Sequence, residues 1–82
     1  MTKAERIQAI ICDTVDAHPS GANWPAIRDA VACKYQIKDW VREVRNPLQG
    51  LIRMNVIERT NSIFDEVYTY TAQTLAIKAD MV

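Results

Sequence analysis

The chain has 82 residues, 49% apolar and 24% charged, with ten basic side chains against ten acidic ones and a formal net charge of zero. That length makes one domain with a small core, which argues against a catalytic cleft with a lid, and the composition excludes a disordered or repetitive chain. No apolar run nears the roughly 20 residues that cross a bilayer, and the apolar part of the N-terminus carries acids, unlike a secretory signal, so a cytoplasmic protein with no membrane partner is expected.

Ala4, Ile7, Ile10, Ile11, Thr14, Val15 and His18 recur at three- and four-residue spacings, which predicts an amphipathic helix over about 3–17. His18-Pro19-Ser20-Gly21 ends it, with His18 as a partly buried or capping residue. Asn23-Trp24-Pro25 is a helix start signal, since proline suits a first turn that needs no N–H; the proline also pushes Trp24 towards extended geometry, as a core anchor on a short strand. A second helix is expected over about 25–35, with Ile27, Ala30, Val31 and Tyr35 inward. Cys12 and Cys33 lie amid helix-forming residues without a Cys-x-x-C pair, and are expected to be buried free thiols; no metal or cofactor site is read.

Asp39 can cap a third helix, expected over about 39–54. Its apolar face is Trp40, Val41, Val44, Leu48, Leu51 and Ile52, and its polar face holds Lys38, Arg42, Arg45, Asn46, Gln49 and Arg53. Pro47 interrupts this pattern at a cost of about 3 kcal/mol or more. Either the helix continues with a kink near 42–45, or it breaks with Asn46 as a new N-cap; the unbroken stripe Trp40, Val44, Leu48, Leu51 favours continuity.

After Asn55, suited to a left-handed helix end, the period changes to that of a hairpin over about 56–71, and residues 72–82 add a short helix or fray. Leu75, Ala76 and Ala79 offer that segment a weak apolar stripe for a partner subunit.

Zero net charge conceals an uneven distribution. From residue 34 to 59, Lys34, Lys38, Arg42, Arg45, Arg53 and Arg59 face only Asp39, Glu43 and Glu58, a surplus of three positive charges that the rest of the chain offsets. A local basic footprint of this kind suits a polyanion.

The order helix, short strand, helix, tight turn, helix, hairpin, together with "VRNPLQGLIRMNVIER" and "VYTYT", resembles the winged helix-turn-helix domains of bacterial regulators. Val44, Arg45, Leu48, Leu51, Asn55, Val56, Ile57 and Arg59 match the third-helix-to-wing pattern of the gluconate-repressor class, and "VYTYT" is similar to the second wing strand of multiple-antibiotic-resistance-type repressors, which ends in a Thr that opens the next helix. The likeness covers roughly residues 24–74.

It implies a mostly α, α+β winged helix: three helices and a two- to three-stranded antiparallel wing, followed by either a short C-terminal helix or a frayed end, in one domain over 1–82. It also implies a small transcription regulator from a phage or bacterium, bound to double-stranded DNA as a homodimer or beside a second DNA-bound protein. Lys38, Arg42, Arg45, Asn46 and Gln49 would then face bases, and Arg28, Lys34, Arg53, Arg59 and Asn61 the phosphate backbone. The wing tip departs from this pattern, because it has no Lys or Arg and carries Asp65 and Glu66. Ile63 and Phe64 beside them leave open an alternative, a winged helix that docks on a protein of the transcription or replication machinery. No phosphate-binding loop, metal spacing or nucleophile with a matching His and acid is present in the sequence, so no enzyme is expected.

Overall fold

A computed structural model describes residues 2–61 and 66–80. Their elements run α1 (Lys3–Ala17), β1 (Ala22–Asn23), α2 (Trp24–Ala32), a π-helical turn (Val41–Arg45) that leads into α3 (Asn46–Arg53), β2 (Ile57–Asn61), β3 (Glu66–Tyr70) and α4 (Ala72–Asp80). The fold is α+β and mostly helical, with one antiparallel sheet in the order β1-β3-β2.

Short polar residues mark the helix ends, through a side chain at the starts of α1, α2 and α4 and through the main chain at the end of α3. Thr2 caps α1, its hydroxyl accepting from the Glu5 N–H at 3.2 Å, and Asn23 caps α2 by accepting from the Ala26 N–H at 3.0 Å. At the far end of α3, Asn55 adopts φ +60°, and the N–H groups of Val56 and Asn55 return to the carbonyls of Leu51 and Ile52 in a Schellman closure. Thr71 opens α4, its buried hydroxyl donating to the Asn55 carbonyl at 2.7 Å and accepting from the Thr74 N–H at 3.2 Å. That one side chain joins the end of α3 to the start of α4.

The core lies where α1, α2 and α3 meet one face of the sheet. Ile7, Ile10, Ile11 and Val15 of α1 pack with Ile27 and Val31 of α2, Val44 of the π turn, Leu48 and Leu51 of α3, and Ile57, Tyr68 and Tyr70 of the strands. β3 is central, so its alternate residues Tyr68 and Tyr70 are buried, while β2 buries only Ile57. The Tyr70 hydroxyl reaches the Cys12 carbonyl at 2.8 Å and pins the sheet to α1.

Several expectations are corrected. The second helix ends at Ala32 rather than 35, so Cys33 stands in the closing turn and is exposed, while Cys12 is half-buried; both are free thiols. Trp24 is the first helical residue, not part of the strand, because Asn23 takes the extended angles (φ −87°, ψ 170°) that the cap requires. Ala4 and His18 lie outside the buried stripe of α1, although His18 is the capping residue expected at its end, with Nδ1–H donating to the Thr14 carbonyl at 2.8 Å. Val41, assigned above to the apolar face, is 62% exposed. Asn61 is the last residue of β2, and the expectations for Ile63, Phe64 and Asp65 fall outside the described residues. Among the described residues, no helix is long and apolar enough to cross a membrane.

Candidate nucleic-acid interface

The basic helix is held at its start by its own acids. Asp39 caps it, its Oδ1 accepting from the Arg42 N–H at 3.2 Å. The Glu43 carboxylate reaches back to the N–H groups of Asp39 (2.8 Å) and Lys38 (3.1 Å), and also accepts from Lys3 of α1 at 2.8 Å. The Lys3 contact first, and then the Asp39 N–H, hold the Glu43 carboxyl down at about 2. Both acids are thus occupied with backbone and with α1. Asp39 meets Arg42 through the main chain, and no ion pair to the Arg42 guanidinium exists among the described residues.

Pro47 is accommodated without a break. Asn46 keeps helical angles (φ −64°, ψ −47°), and its N–H bonds to the Val41 carbonyl five residues back instead of four. In a regular α-helix the proline ring would clash with the Glu43 carbonyl. The wider turn relieves that contact, so the helix runs on from Trp40 to Arg53. The Pro47 carbonyl also accepts from the Gln8 side chain at 3.2 Å, tying this point to α1. One residue more in the turn shifts the phase of everything before it, and this rotates Val41 out of the apolar face while Val44, Leu48 and Leu51 stay buried.

Arg42, Asn46, Gln49 and Arg53 then form a row at steps of four, three and four along one helix side; Arg42, Asn46 and Arg53 are exposed and Gln49 is half-buried. Arg45 is placed differently. Its guanidinium carbon sits 4.3 Å from the Trp24 ring centroid, and its Nη1 lies 3.9 Å from Glu66 Oε2. Trp40 meets Trp24 edge-on, with centroids 6.3 Å apart and planes at 85°. The Tyr68 hydroxyl donates to the same Glu66 oxygen at 2.8 Å, and burial first, then that carboxylate, pushes the phenol up to about 12. Glu66, read from sequence as a group that would repel phosphate, is therefore also the anchor of Arg45.

Lys38 is exposed just before the helix. Arg28 is exposed on α2, its Nε 3.5 Å from the neighbouring Asp29, and Lys34 is exposed beyond the end of α2. Arg59 and Asn61 are exposed on β2, opposite Tyr68 and Glu66 of β3. The ten expected DNA-facing residues are thus spread over α2, the connection after it, the basic helix and β2, and only the row Arg42, Asn46, Gln49, Arg53 shares one line.

No protein-family model, curated protein or solved structure matches the chain.

A groove of about 390 Å³ between α1 and α2 is lined by Ile10, Asp13, Thr14, His18, Ala30 and Lys34 among others. Its Thr14 hydroxyl and His18 Nδ1 are already bonded to main-chain carbonyls, so they present no donor to a ligand. Sequence reasoning missed two features of the basic helix, the exposure of Val41 and the hold on Arg45. The only signal for the first was Pro47, and the second depends on a strand that pairs far along the chain.

Proposed function

We propose that the chain is a small winged helix-turn-helix regulator that lays the helix Trp40–Arg53 in the DNA major groove. The observation that supports this best is the row Arg42, Asn46, Gln49, Arg53 on a continuous helix whose own acids are turned to capping. Arg can take guanine O6 and N7 with its fork, and Asn or Gln can pair with adenine N6 and N7. Lys34, Arg28, Lys38 and Arg59 then hold phosphates and set the register. A single module of this size buries little DNA surface, so a dimer or a neighbouring bound protein completes the affinity.

Selection of duplexes from a random pool, followed by titration of the enriched site over salt concentration, tests the reading. The expected result is a sequence-dependent complex whose affinity falls by about 0.9 log units per log unit of salt for each phosphate held. No complex on any duplex at low salt sinks it.

A second reading, a winged helix that docks on a protein, draws support from α4. That helix buries none of its residues, and Leu75 and Ile77 are 54% and 53% exposed. Nine residues make a marginal helix in water without a partner surface. Capture of a protein partner that survives nuclease treatment and is lost on Leu75→Asp would favour this reading.

A further inference from the structure

We infer that Val41 reads the 5-methyl group of thymine from the first turn of the basic helix. The inference rests on the DNA reading above and adds to it an apolar, base-specific contact.

Val41 is one of the few large apolar side chains exposed among the described residues, and it stands in the same turn as Arg42 and Arg45. A lone exposed valine is ordinary. This one is presented by a π turn, and such turns often mark functional sites. The wider turn that seats Pro47 exposes it, and it packs against no core residue among the described residues. Valine is a poorer helix former than the long polar residues that usually fill such a face, and Trp40, Val44 and Leu48 supply the core contact without it.

Position and chemistry converge on one ligand group. The N-terminal half of a recognition helix is the part nearest base edges in the major groove. There the thymine methyl is the apolar feature among hydrogen-bonding groups, and small aliphatic side chains contact it. Asn46, whose N–H closes the π turn on the Val41 carbonyl, is an adenine-type reader one turn on. The pair therefore suits an A·T-containing step, with the methyl against Val41 and the adenine edge against Asn46.

The test uses the selected duplex, with each thymine replaced in turn by uracil, which removes only the methyl. One or two positions are expected to lose about three- to fourfold in affinity, the worth of one methyl leaving water. Val41→Ala should abolish that sensitivity at those positions alone, and Val41→Ile should retain it. Because alanine favours the helix and position 41 is exposed, thermal unfolding of Val41→Ala should match the parent or exceed it. A selected duplex with no uracil-sensitive position, or one whose sensitivity persists in Val41→Ala, overturns the inference and leaves the DNA reading standing. Failure to select any duplex removes both.

Discussion

The guanidinium carbon of Arg45 sits over Trp24, 4.3 Å from the ring centroid, and its Nη1 lies 3.9 Å from Glu66 Oε2 on the sheet. The contact joins the basic helix to the start of α2. Both Arg45 and Glu66 are more than one-third exposed, so the ion pair itself contributes little in water. Arg45→Ala is expected to cost about 1 kcal/mol, chiefly from the cation–π contact. The measurement is a lower urea midpoint at unchanged slope. Arg45→Lys should recover little, because an ammonium does not stack as a planar guanidinium does.

Glu66 competes with any polyanion for Arg45. Under the proposed function, Glu66→Gln should tighten DNA binding about three- to tenfold and steepen the salt slope by about 0.9, one more phosphate's worth of released counterions. An unchanged slope would show that Arg45 stays on Trp24 in the complex.

Arg42 and Lys34 separate reading from holding. Arg42→Ala should cost about 1–3 kcal/mol on the selected site and relax preference at one or two positions. Lys34→Ala should weaken all duplexes alike. Equal uniform losses from the two would mean that Arg42 reads no base.

Glu43 links the start of the basic helix to pH. Its folded pKa is depressed from 4.5 to about 2, so its contribution is full above the unfolded value and is lost as pH falls through the folded one. Urea midpoints of the parent and Glu43→Gln should therefore differ most above about pH 5 and converge towards pH 2. A constant difference would show that the carboxylate's charge is not what holds Lys3 and the two N–H groups.

Gly21 adopts φ +119°, and a Cβ there would press into the Val67 side chain of β3. Gly21→Ala is expected to cost about 2 kcal/mol or more, since it adds backbone strain and forces apart the β1–β3 pairing. Denaturant melts check this. A neutral result would mean that the His18–Gly21 turn can be rebuilt without loss.

Much of the architecture was legible because two signals coincided. α1 combines a three-and-four period with a stop at His18-Pro19, α2 starts at Asn23 with proline in its first turn, and the basic helix is bracketed by Asp39 and Asn55. The departures occur where a local rule met a tertiary one. The spacing Trp40, Val44, Leu48, Leu51 tolerates slow rotation, so an under-wound turn leaves the stripe intact and only Val41, at its margin, falls out. Cys33 was placed inward by a helix assumed one turn too long. On the candidate surface, residue types on the helix face were legible, but their availability was not. Whether Arg45 is free depends on Trp24, 21 positions before it, and on Glu66, 21 positions after it.

The π turn has a consequence for how this helix tolerates change in length. Its two ends are fixed, by the Asp39 cap against α1 on one side and by the Asn55 closure under β2 on the other. Between those anchors it carries one residue more than a regular α-helix would place there. Loss of a single residue from Val41–Arg45 would remove that surplus, but it would also bring a carbonyl of the preceding turn back against the Pro47 ring, so the shortened helix should keep both anchors only if Pro47 is replaced as well. With both changes made, the exposed side of the first turn would rotate while the core stayed in place, which makes the length of this turn a means of altering the helix surface without refolding the domain.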